Sequence, residues 1–142
     1  MKKRYTISVF TEDIVGLLNR VTIVFTRRKI NIESIAASDS EVQNIHRYTI
    51  VVFESEDLVK KVTLQLDKQV EVIKAVYHLD EEIIYQEIAL FKVPTNILMQ
   101  GGEAEHIVRA HHARVLSVEP EFTVIEKTGH KEETQHLFDE LE

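Results

Sequence analysis

The sequence of 142 residues contains no cysteine, no tryptophan, two prolines and four glycines. The absence of cysteine excludes disulfide bonds, thiolate metal sites and cysteine catalysis, and it favours a cytoplasmic location. So little proline and glycine leaves no room for a disordered linker. No apolar run approaches membrane-spanning length, and the opening MKKRYTISVF lacks the apolar segment of a signal peptide. We therefore expect a globular cytoplasmic protein that does not associate with a membrane.

Charge is unevenly distributed along the chain, whose net charge is −7. Residues 1–79 hold 12 Lys and Arg against 10 Asp and Glu, whereas residues 80–142 hold 5 against 14. Binding to a phosphate backbone requires clustered cations. The acidic second half therefore argues against nucleic acid as a partner.

Hydrophobic periodicity in the first half predicts a complete small domain. The pattern predicts strands over residues 5–10, 31–37, 45–53 and 70–79, with helices after residue 16 and over residues 58–68. This βαββαβ order is typical of ferredoxin-like α+β domains, in which two helices cover one face of an antiparallel sheet. We assign this domain to residues 1–79.

The second half, residues 80–142, repeats most of this order. Strands are predicted over residues 83–93, 115–119 and 122–128, helices over 103–112 and at the end of the chain, and a loop over 95–102. The resulting βαββα order lacks a last strand, which would leave residues 83–93 as an apolar sheet edge. We expect either a chain shortened at its end or a strand supplied by another chain.

Residues 11–34, TEDIVGLLNRVTIVFTRRKINIES, form the most informative stretch. Asp13 is a candidate helix N-cap, and Gly16 permits a tight turn and a close approach by a ligand. An apolar stripe near helical spacing follows, formed by Leu18, Val21, Ile23, Val24 and Phe25. A glycine loop at a helix start, beside a strand that carries Asn31, suits a small anion such as an α-carboxylate. An ordinary strand-to-helix turn has the same pattern.

Other chemistry has little support in the sequence. The group His106, His111 and His112, with Glu103 and Glu105, has no pair of histidines four residues apart, so we predict no metal site. No nucleophile elbow, P-loop or dinucleotide-binding fingerprint is present, and no catalytic residue is predicted.

The run EDIVGLLNRVTIVFTRRKINIES resembles the opening of the small regulatory subunits of acetolactate synthase (acetohydroxyacid synthase), which begin with an ACT domain. The positions that fit the family pattern are Glu12, Gly16, Leu18, Arg20, Val21, Phe25, Arg28, Asn31, Ile32, Glu33 and Ser34. In the second half, EIALFKV and VLSVEPEFTVIEKTG resemble the second, ACT-like domain of the family. The resemblance covers essentially the whole chain and implies tandem ACT domains, the second apparently without its last strand.

The resemblance implies a regulatory protein that is not itself an enzyme. Small subunits of this family bind a large catalytic subunit that carries thiamine diphosphate, Mg²⁺ and FAD. They raise its activity and confer feedback inhibition by valine or other branched-chain amino acids. No cofactor is expected in this chain, and a homodimer is expected. The alternative is a stand-alone ferredoxin-like module that binds a small ligand or RNA.

The resemblance also implies that the effector lies between two copies of the first domain, at the loop before the first helix. The expected effector-binding residues are Asp13, Ile14, Val15, Gly16, Leu17, Leu18, Asn31 and Ile32. Amides of the first helical turn lack intrahelical partners and would receive the effector carboxylate. The family usually has Asn at position 13. The carboxylate of Asp13, if it does more than cap the helix, would repel the effector carboxylate and lower affinity roughly tenfold.

Overall fold

The computed structural model describes all 142 residues, in two compact units, Met1–Ile84 and Tyr85–Glu142. The first unit contains β1 (Lys2–Glu12), α1 (Leu17–Arg27), β2 (Ile32–Asp39), β3 (Ile45–Ser55), α2 (Glu56–Asp67), β4 (Val72–Leu79) and a 3₁₀ turn (Asp80–Glu82). The second contains β5 (Glu87–Pro94), α3 (Thr95–Met99), α4 (Glu103–Ala110), β6 (Arg114–Val118), β7 (Phe122–Gly129) and α5 (Lys131–Leu141). No helix is long and apolar enough to cross a membrane.

The first unit is a four-stranded antiparallel sheet in the order β2-β3-β1-β4. On the central strand β3, alternate residues are buried, because successive side chains of a strand point to opposite faces. On the other central strand, β1, every residue from Tyr5 to Val9 is buried. The core joins these side chains to those of the two helices: Tyr5, Ile7, Val9, Tyr48, Ile50 and Val52 from the strands, and Leu17, Val21, Val24, Phe25, Val59, Val62 and Leu66 from the helices. The predicted ferredoxin-like α+β fold is confirmed.

Helix α1 presents a different face to the core than its sequence predicted. Its buried residues are Leu17, Val21, Val24 and Phe25, which follow the i, i+4, i+7, i+8 spacing of one helical face. Leu18 and Ile23 remain 45% and 40% exposed. The predicted stripe was wrong at these two residues because Leu17, Val21, Val24 and Phe25 share one helical face, and Leu18 and Ile23 lie to either side of it.

The second unit has a three-stranded antiparallel sheet in the order β5-β7-β6, with β5 at an edge. Its core contains Val108, Ile125 and Leu137, all buried, and Phe91 of β5 stacks on Phe138 of α5 with ring centroids 6.2 Å apart. On β5, Ile88 is 70% exposed.

Two local predictions for this region were wrong. The strand predicted from residue 83 begins at Glu87, because the chain first forms the 3₁₀ turn, which the carboxylate of Glu82 closes by accepting from the amide of Leu79 at 2.7 Å. The predicted loop after Pro94 begins with helix α3, whose first residue, Thr95, is buried. The hydroxyl of Thr95 is 2.9 Å from that of Thr123 on β7, which fixes the start of this helix.

Candidate functional site

The loop between β1 and α1 ends in a left-handed glycine. Gly16 has φ +82° and is the N-cap of α1, and no side chain caps the helix. The prediction that Asp13 is the N-cap was therefore wrong. No atom lies within 4 Å of the position that a Cβ on Gly16 would occupy, so the backbone conformation, rather than crowding within the chain, requires glycine here.

The start of α1 offers a group of free backbone donors. The amides of Asp13, Ile14 and Leu17 donate to the carbonyls of Asn44, Glu12 and Ile14, at 3.3, 3.1 and 3.3 Å. The amides of Val15, Gly16, Leu18 and Asn19 have no hydrogen-bond partner in the chain. We call these four N–H groups the amide cluster. They lie at the positive end of the helix dipole, where an anion is stabilised.

Exposed apolar side chains accompany the amide cluster. Val15 is fully exposed, and Ile14 and Leu18 are 43% and 45% exposed. Leu17 differs, because its side chain is buried in the core and its amide is already bonded to Ile14. Leu17 therefore positions the helix and offers the loop neither a donor nor an apolar surface, which corrects its predicted role as a donor.

Asn31 and Ile32 lie at the entrance of β2. Ile32 is the first residue of the strand and packs partly buried against the core. Asn31 is exposed, and no hydrogen bond links it to residues 13–16 within the chain. Within one chain, residues 13–18 therefore form a continuous loop and helix start. The side-chain amide of Asn31 has no hydrogen-bond partner in that chain.

Asp13 faces a histidine that sequence reasoning did not select. Nδ1 of His46 lies 3.1 Å from the Asp13 carboxylate, and its Nε2 lies 3.6 Å from the carboxylate of Asp39. The approach to Asp13 lacks hydrogen-bond geometry, and this buried nitrogen has no hydrogen-bond partner. The pairing of β2 with β3 places Asp39 opposite His46. Assigning the strand register of the predicted hairpin would have identified the pair of Asp39 and His46.

Two further contacts hold the loop and α1 to Glu71, the residue that precedes β4. The amide of Glu12 donates to the carbonyl of Glu71 at 3.0 Å, and the guanidinium of Arg20 pairs with the Glu71 carboxylate. Arg20, one of the residues that fit the family pattern, thus helps to hold α1 at the end of the sheet.

The structure also bears on the RNA-binding alternative. RNA-binding sheets of this topology stack bases on exposed aromatic side chains of the central strands. On β3, Tyr48 is 6% exposed and faces the core, whereas Phe53 is 48% exposed and lies near the strand end. The central strand therefore has no pair of exposed aromatic side chains on one face.

Cavities within one chain lie elsewhere. One of about 300 Å³ is lined by Phe10, Val42, Ile45, Ile73 and neighbouring residues. A second, of about 320 Å³ in the second unit, lies between β5 and the end of α5. Neither is lined by residues 13–18, so in a single chain the exposed residues of this loop form an open surface rather than part of either cavity.

Comparison with known proteins gives consistent matches to both halves. Residues 7–74 match the family described as AHAS small subunit-like ACT domain, and residues 86–142 match the family described as small subunit of acetolactate synthase. The chain is 36% identical to the acetolactate synthase small subunit of Mycobacterium bovis over 99% of its length and 83% of that protein. It is 34% identical to that of Bacillus subtilis, over 99% of this chain and 81% of the relative.

A solved structure is similar over the same span. The acetolactate synthase small subunit from Thermotoga maritima superposes with a TM-score of 0.85 at 26% identity, covering 96% of this chain and 85% of the other. The match extends across both units, so the likeness is not limited to a single ACT domain.

Proposed function

The chain belongs to the family of acetolactate synthase small subunits, and from this premise we propose that it is a regulatory subunit without catalytic activity of its own. In this proposal it binds the catalytic subunit of acetolactate synthase and raises its activity. It also confers feedback inhibition by valine or a related branched-chain amino acid. The catalytic subunit carries thiamine diphosphate, Mg²⁺ and FAD.

The observation that carries the effector site is the amide cluster beside exposed apolar side chains. The unpartnered N–H groups of Val15, Gly16, Leu18 and Asn19 supply donors for an α-carboxylate at the start of α1. Ile14 and Val15 supply apolar contacts for a branched side chain. The carboxylate and the branched side chain of such an amino acid thus each have a counterpart at one loop.

The proposed site is completed by a second copy of the chain. Edge strand β2 has seven of its eight residues exposed, and an unpaired edge is a template for pairing with another strand. A two-fold axis beside β2 would join two sheets and present Asn31 of each chain to the other chain. Two-fold dimers are the commonest soluble assembly.

Reconstitution tests the regulatory proposal. The purified chain is mixed with the catalytic subunit of acetolactate synthase from the same organism, and acetolactate formation is measured with and without valine. We expect co-purification, a higher rate, and a rate that valine lowers. A chain that neither binds the enzyme nor changes its rate would contradict the proposal.

Cross-linking tests the dimer, because the chain has no cysteine of its own. Single cysteines are introduced at Ser34, Ala36 and Ser38 on β2, one at a time, and oxidised. A residue near a two-fold axis between antiparallel strands meets its own copy at disulfide distance, so at least one variant should form a covalent dimer. Ile73→Cys on the opposite edge strand, β4, is the matched control and should remain monomeric on the same gel.

A further inference from the structure

A cluster of two histidines and a glutamate lies between α4 and α5 in the second unit. His111 is the C-cap of α4, and His136 and Glu140 lie four residues apart on one face of α5. Nε2 of His111 is 2.5 Å from one oxygen of the Glu140 carboxylate, and Nε2 of His136 is 3.9 Å from the other. The two imidazole rings have centroids 5.3 Å apart.

The three side chains present donor atoms of the right kind to one point. One nitrogen of each ring and one carboxylate oxygen lie within 4.8 Å of one another. Ligand atoms around a tetrahedral Zn²⁺, at about 2.0–2.1 Å from the ion, are separated by about 3.3 Å. The three donors must therefore approach one another by up to about 1.5 Å to reach coordination distance.

The surroundings combine a fixed ligand with open access. The side chain of His111 is 15% exposed, and the ammonium of Lys127 holds its backbone by donating to its carbonyl at 2.7 Å. The side chains of His136 and Glu140 are 63% and 42% exposed, so an ion can enter from solvent and keep water in its remaining positions. A simple ion pair with Glu140 would need only one histidine. Here both His111 and His136 approach the Glu140 carboxylate, as the ligands of one ion would.

We propose that His111, His136 and Glu140 form a binding site for one divalent transition-metal ion, of which Zn²⁺ is the best match. Imidazole nitrogen suits Zn²⁺, Ni²⁺, Cu²⁺ and Co²⁺, whereas Mg²⁺ and Ca²⁺ prefer oxygen ligands. This site departs from the sequence expectation that no metal is bound, and it does not depend on the proposed effector site. By bridging α4 to α5, a bound ion fastens these two helices to each other.

The sequence pattern failed here because it grouped the wrong histidines. His106 and His112 do not belong to the cluster, although they lie beside His111 in the sequence. The other two proposed ligands, His136 and Glu140, lie on α5, more than twenty residues further along the chain. Only the packing of α4 against α5 brings them together.

Titration of the untagged full chain with Zn²⁺ alone, by calorimetry, tests the site. Co²⁺ reports the ligand set through its visible absorption. We expect one Zn²⁺ per chain with micromolar or tighter affinity, and no binding of Mg²⁺ at the same concentrations. His136→Ala and Glu140→Gln should each weaken Zn²⁺ at least tenfold, and both positions are exposed, so the fold is retained. Zn²⁺ binding should also raise the melting temperature of the wild type.

Two control variants make the result specific. His106→Ala removes an exposed histidine from the same helix, α4, and should leave Zn²⁺ affinity unchanged. His46→Ala removes the histidine of the other group of metal-type ligands, with Asp13 and Asp39. Loss of Zn²⁺ binding in His46→Ala but not in His136→Ala would overturn the proposal, as would unaltered affinity in both α5 variants or the absence of saturable binding below millimolar Zn²⁺.

Discussion

Replacing Asp13 with asparagine should strengthen the binding of a branched-chain amino acid. The side chain of Asp13 is 59% exposed, so its charge acts through a largely aqueous medium. Two unit charges about 6 Å apart, at an effective dielectric constant of about 50, repel by about 1 kcal/mol. Removing this repulsion from an effector carboxylate held at the amide cluster corresponds to a gain in affinity of roughly fivefold to tenfold.

Calorimetric titration with valine, leucine and isoleucine at two salt concentrations is the assay. Asp39→Asn is the matched control. It removes the other carboxylate near His46, which lies 3.6 Å from Nε2 of that residue, and Asp39 is on the β2–β3 hairpin rather than in the loop. We expect Asp13→Asn to bind more tightly, Asp39→Asn to bind like the wild type, and the difference to shrink as salt rises. Weaker binding by Asp13→Asn would refute the reasoning, since it would mean that the carboxylate holds the effector ammonium.

Other expected outcomes follow from the same structure. Gly16→Asp and Asn31→His should each abolish the response of the reconstituted enzyme to valine while the circular dichroism spectrum is retained; the left-handed backbone adds a cost of roughly 1–2 kcal/mol in the former variant. Leu66→Ala, at a fully buried core position, should lower the free energy of unfolding by about 2–5 kcal/mol in denaturant titrations. Hydrogen bonds from Thr128 and Arg114 lower the pKa of Glu126 below its ordinary 4.5. Its contribution to stability is therefore present above pH 4.5 and is lost as pH falls through the lower folded pKa. In Glu126→Gln, the melting temperature should therefore fall less as the pH is lowered below 4.5 than it does in the wild type. The same pH dependence in both proteins would contradict the assignment.

The order of elements in the first unit was predictable because each element has a clear period. The strands alternate, the helices repeat apolar residues at helical spacing, and Ser55 caps α2 where an acidic, cap-like run was expected, its hydroxyl accepting from the amide of Leu58. The core face of α1 was predicted wrongly at Leu18 and Ile23 because apolar residues occur on more than one side of this helix. Periodicity does not say which side packs on the sheet, and the structure buries the side that carries Leu17, Val21, Val24 and Phe25.

The candidate site was predictable as a loop and not as a set of contacts. The glycine and the helix start located the free donors, although a local hydrogen bond removes Leu17 from them. The environment of Asp13 was not predictable in the same way, because His46 comes from β3 and reaches the loop through strand register. Contacts that depend on pairing between distant strands require the register, which periodicity alone does not give.

The division of the proposed site between two chains has a thermodynamic consequence. In the proposed dimer, the effector contacts the amide cluster of one chain and Asn31 of the other, and it therefore holds the two copies together. Effector affinity and dimer affinity are then linked, and each must change the other by the same factor. The charge of Asp13 acts on both quantities, because it lies at the loop that would face the second copy. Under this proposal, if Asp13 lowers effector affinity tenfold in the dimer and leaves the affinity of the separate chain unchanged, the amino acid also promotes dimer formation tenfold less.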